Sequence, residues 1–230
     1  MGTEPIALTY DGADVWVANA SSNNVTKLRV SDGTNLGTFS VGGTGPVGIT
    51  FDGANIWVAN GGSNNVTKLR ASDGSNLGTF NVGANPIGGA FDGANIWVAN
   101  QGSNTVTKLR VSDGSTLGTF AVGSAPNGLA FDGANMWVVN QLGNNVTELR
   151  ASDGANLGTF SVGTGPLGIA FDGANMWVAS PSSNSVTVLR ASDGTNLGTF
   201  NSGGAFPRSV AFDGANVWVL DGNDNTITKF

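Results

Sequence analysis

One phrase recurs six times, and its period constrains the chain more than any other property. Tryptophans stand at positions 16, 57, 97, 137, 177 and 218, each inside nearly the same run of residues. A period of about 40 belongs either to stacked helical pairs or to the blades of a β-propeller. The third copy decides between them. Residues 87–91 are short and apolar, and Asp92-Gly93-Ala94-Asn95 supplies turn chemistry. Residues 96–99 are a second short run, rich in aromatic and β-branched types. A turn at 101–104 leads to 106–111, which alternates as a half-buried strand should. Asp113-Gly114 marks the next reversal, and 117–122 forms the fourth strand. No stretch carries a 3.6-residue period long enough for a helix, so helical repeats are excluded.

The expected fold is therefore all-β: one domain over 1–230, a six-bladed β-propeller of mostly four-stranded antiparallel blades closed into a ring. The blades fall at 4–43, 44–83, 84–123, 124–163, 164–204 and 205–230. The last copy stops at its third strand, so it is expected to lack the outer strand and to leave an open edge for self-association. The first two strands of each copy are apolar on both faces, as in a sheet held between two others. Glycine or alanine in the first strand fits crowding near a propeller axis. Lys and Arg in the third strand suit a position nearer the rim.

Composition removes several function classes. Charged residues make up only 11% of the chain, against about a quarter in ordinary domains, so Asn, Ser, Thr and Gly must cover much of the surface. The net charge is −6 and the basic residues are spaced singly, which gives no footprint for nucleic acid. Without cysteine there are no disulfides, thiolate nucleophiles or zinc–sulfur sites. No apolar run is long enough for a membrane-spanning helix, and no membrane partner is expected. The first residues carry no signal-peptide pattern, and the location is left open, with an extracytoplasmic or secreted parent among the alternatives.

The phrase around Pro166-Leu167-Gly168-Ile169-Ala170, with Trp177-Val178-Ala179 and Asn64-Asn65-Val66-Thr67-Lys68-Leu69, resembles the NHL-repeat and YVTN-type bacterial propellers, including the streptogramin lyases. The resemblance covers nearly the whole chain. For a streptogramin lyase it implies catalytic histidines and magnesium, and this chain has no histidine. For gluconolactonase-like propellers it implies a divalent metal held by acidic and Asn side chains. The column Asn19, Asn60, Asn100, Asn140, continued by Ser180 and Asp221, is a partial match.

Comparing the copies with one another points to a different place. The residues after the first-strand prolines are Ile6, Val47, Ile87, Asn127, Leu167 and Arg208, expected to ring one mouth of the axial channel. They would form a shallow apolar ring anchored by Asn127 and Arg208. Other features read as structure. The Trp column is expected to pack between blades, and the repeated Asp residues to make turns. Residues 221–225 offer oxygens at calcium-loop spacing but lack the sixth-place glycine, so a plain turn is expected. Glu148, which stands where other copies have Lys27, Lys68 and Lys108, is expected to be surface variation. The functional expectation is a non-catalytic binding or scaffold module for a protein, peptide or small-molecule ligand, with no cofactor beyond a divalent cation such as calcium. The alternative is a metal-dependent lyase or lactonase working at the channel mouth.

Overall fold

The computed structural model describes all residues, 1–230. Its strands form six antiparallel sheets in simple up-and-down order, five of four strands and one of three. They are the blades of a six-bladed β-propeller, and the last blade lacks its outer strand as the sequence implies. The chain divides into two compact units, 1–119 and 120–230.

The second blade shows how the repeat builds itself. Its strands are Pro46–Phe51, Asn55–Asn60, Asn65–Arg70 and Asn76–Asn81. The Asp-Gly-Ala turn between the first two is held by Asp52, whose Oδ1 accepts from the backbone N–H groups of Ala54 and Asn55 at 2.8 and 2.6 Å. Its Oδ2 accepts from the indole N–H of Trp57 at 2.7 Å. The same indole–carboxylate bond recurs in every blade, from Asp11 and Trp16 to Asp213 and Trp218. A buried indole N–H needs an acceptor. The repeated Asp thus does more than turn the chain.

The cores lie between consecutive sheets. In the first unit, Trp16, Ala18 and Val25 pack against Ile56, Val58 and Leu69 of the next blade, with the Phe39 ring 5.4 Å from Trp16. In the second unit, Trp137 and Val146 meet Met176, Val178 and Leu189 in the same way. Each fourth-strand Phe except Phe200 also lies against the Asp-Gly turn between the third and fourth strands of the following blade. A side-chain carbon on Gly74 would collide with the Phe39 ring, and one on Gly194 with Phe160. These glycines also have φ near +70°, so both space and backbone require them.

First strands approach one another closely enough to exclude a side chain. A Cβ on Gly128 would lie 2.5 Å from the Leu167 carbonyl oxygen, and one on Gly168 2.7 Å from that of Arg208. Both obstacles are backbone, so they cannot swing aside. Gly128→Ala should therefore destabilise the fold by about 1–3 kcal/mol through overpacking, read as a lowered urea midpoint. An unchanged midpoint would show that the strands separate freely.

The first and last sheets carry exposed apolar side chains. Leu8 is 69% exposed and Tyr10 53% in the first blade, and Trp218 is 37% and Leu220 44% exposed in the last.

Candidate functional site

The six post-proline residues appear in two threes, one in each unit. Ile6, Val47 and Ile87 follow the prolines of the first three blades, and Asn127, Leu167 and Arg208 those of the last three. In the second unit the close approach of the Leu167 carbonyl to Gly128 and of the Arg208 carbonyl to Gly168 sets the backbone segments that carry the latter three side by side. Val47, Ile87, Asn127 and Leu167 are half-buried, whereas Ile6 and Arg208 are exposed. Five of the six arginines pair with an aspartate three residues on, from Arg29 with Asp32 to Arg190 with Asp193. Arg208 makes no such pair. Its guanidinium lies 4.7 Å from the centre of the Phe206 ring, a cation–π contact that leaves its donors open.

The Asn column is bonded within single blades through its amide nitrogens, and the Oδ1 atoms of Asn19, Asn60, Asn100 and Asn140 are buried without a partner. Asn60 donates to Asn65 Oδ1 at 2.8 Å and to Thr67 Oγ1 at 3.0 Å, tying the second strand to the third inside one blade. Asn19, Asn100 and Asn140 act alike. Nowhere do three His, Cys, Asp or Glu side chains gather as a metal centre would require. The residues present do not fit the resident metal that the lyase and lactonase resemblance implies. Residues 222–225 form a turn, in keeping with the reading of that segment.

Glu148 corrects the sequence reading. It is not surface variation: it is only 7% exposed, on the third strand of the fourth blade, Asn145–Arg150. It faces Trp137 across the ladder, and its Oε1 accepts from the Asn135 amide at 2.7 Å. Burial pushes its carboxyl above the usual range, and the charge of Asp132 pushes it further, against the Asn135 hydrogen bond. Its partner Asn135 lines an open cleft of about 550 Å³, together with Asp132, Phe171, Asn175, Arg190 and Ala191. The sequence signal was present as a reversal of charge within the lysine column. What it did not show was that this column is buried.

No family model matches the chain, and no curated protein matches it. Solved structures do. The chain is similar to a virginiamycin B lyase from Staphylococcus aureus, at 18% identity and a TM-score of 0.81, covering 99% of this chain and 84% of that one. It is similar to a putative 6-phosphogluconolactonase from Bacteroides fragilis at 21% identity and a TM-score of 0.80, covering 98% and 79%. A functionally unknown protein from Desulfotomaculum acetoxidans matches at 17% and 0.81, covering 98% and 81%. The likeness is one of fold. It bears out the resemblance to streptogramin lyases at that level. It also overturns the expectation of a non-catalytic scaffold, because propellers built this way include a lyase and a putative lactonase.

Proposed function

We propose that this propeller is an enzyme of the lyase or lactonase kind, acting on a small cyclic ester at the proline end of the first strands in the 120–230 unit. The observation that carries this is the unpaired guanidinium of Arg208, on a backbone segment set beside that of half-buried Leu167, which lies in turn beside that of Asn127. A guanidinium and a carboxamide both donate hydrogen bonds, and both suit an ester carbonyl whose oxygen gains negative charge during reaction. Leu167 supplies an apolar surface for the ring of the substrate. The names of the fold neighbours support the reaction class, and no step here passes through a metal. We assign the repeat to the NHL or YVTN type on the phrase from Pro166 to Ala179.

Turnover of a panel of lactones and cyclic ester peptides tests the reading. Arg208→Ala should lower kcat/KM by about 100-fold, the usual effect of removing one oxyanion donor, with the melting temperature unchanged. Full activity in that variant would sink the assignment, as would a wild-type protein inert across the whole panel.

A further inference from the structure

Three blades hold a lysine ammonium in one recurring niche. Lys27 Nζ donates to the Ala71 carbonyl of the next blade at 2.8 Å, lies 3.1 Å from the Asp14 carboxylate and 5.3 Å from the Trp16 ring centre. Lys68 donates to the Val111 carbonyl at 2.6 Å, with Trp57 at 5.3 Å. Lys108 lies 4.0 Å from Asp92 and 5.0 Å from the Trp97 ring. The niche is therefore walled by a carbonyl just past the next blade's third strand and an indole face, with the carboxylate of the Asp-Gly-Ala turn 3.8 Å from Lys27 at Asp11 and 4.0 Å from Lys108 at Asp92.

In the fourth blade every wall is kept and the occupant is lost. Asp132 and Trp137 take the places of Asp92 and Trp97. Ala191 follows Arg190 as Ala71 follows Arg70 and Val111 follows Arg110. The lysine has become Glu148. A glutamate is one bond shorter than a lysine, so its carboxylate stops short of where an ammonium would sit. Glu148 is nine-tenths buried, with Oε1 bonded to Asn135 and no donor on Oε2. No group of the chain donates to the Ala191 carbonyl. The one basic side chain lining the cleft, Arg190, is engaged by Asp193 at 3.0 Å. Buried Glu148 and half-buried Asp132 thus share a place that elsewhere is balanced by a cation, and Asp132, Asn135 and Ala191 line the open cleft beside it.

We propose that this cleft binds the primary ammonium group of a ligand, which takes the position of the missing lysine ammonium. Its N–H groups donate to Glu148 Oε2, the Asp132 carboxylate and the Ala191 carbonyl, and its charge faces the Trp137 ring. Ammonium chemistry fits these walls better than a hard metal does. An indole face attracts an ammonium, whereas calcium requires six to eight oxygen ligands. The site lies at the far end of the first strand Pro126–Phe131 from Asn127, and it is independent of the proposed ester chemistry.

The probes are n-butylammonium, tetramethylammonium and calcium chloride, added to the intact chain and followed by ligand-observed NMR and calorimetry. n-Butylammonium should bind the wild type, and tetramethylammonium at least tenfold more weakly because it has no N–H to donate. Glu148→Lys restores the residue of the sister blades, so it should fold, fill the niche itself and abolish binding. Glu148→Gln should weaken binding at least tenfold, and Arg208→Ala should leave it unchanged. Absence of amine binding to the wild type, equal binding by Glu148→Lys, or binding of calcium without amine would each overturn the proposal.

Discussion

Replacing Trp57 by alanine should cost about 4 kcal/mol, while the same change at Trp218 should cost about 1 kcal/mol. Trp57 is 1% exposed, stacks obliquely on Phe80 at 5.7 Å, and lies under the Lys68 ammonium. Its loss opens a cavity between two sheets and strips Asp52 of its indole donor. Trp218 keeps the equivalent bond to Asp213, yet its ring is 37% exposed. Water can fill the space it leaves. Paired urea titrations measure the difference, and equal losses would mean that the last blade's face is covered in solution.

Glu148→Lys should raise stability at about pH 7 by on the order of 2 kcal/mol, because it replaces the like charges of buried Glu148 and half-buried Asp132 by an ion pair. The pH dependence follows from the direction of the shift. The folded-state value of Glu148 lies above its ordinary 4.5. Below the ordinary value the carboxyl is protonated in both states and folding bears no ionisation penalty. As pH rises through the raised folded value, the charged form is disfavoured in the fold and the wild type loses stability. Glu148→Gln should therefore match the wild type in acid and exceed it at neutral pH. A difference that stays constant with pH would remove Asp132 and burial as the cause.

The blades were legible in sequence because their determinants are local. Asp-Gly turns, a Trp between β-branched neighbours and a missing Leu-Gly-Thr-Phe segment each report on one blade alone. The first-strand glycines were also readable, since crowding there leaves room for nothing larger. What escaped depends on partners about 40 residues away. The lysines of the third strand looked like rim residues by alternation, yet Lys68 and Lys108 are each 7% exposed. The Lys27 and Lys68 ammonium groups find partners on the following blade, which no window of one repeat contains. Glu148 was misread for that reason. Arg208 stood out as a basic residue outside the lysine and arginine columns, but its freedom from a carboxylate appeared only in three dimensions.

Apart from the junction with the last blade, the junctions within a unit are made from the same two halves, a fourth-strand Phe on one blade and an Asp-Gly turn on the next, as with Phe39 on Gly74 and Phe160 on Gly194. The last blade has no such turn, and Phe200, which would have met it, is 47% exposed. Nothing in a junction records which blade it belongs to. A recombination event that gains or loses one whole copy, such as 84–123, leaves each remaining junction with the contacts it had before. Copy number in this lineage is thus free to drift in steps of one repeat, whereas an insertion of any other length would separate a phenylalanine from its glycine and be selected against.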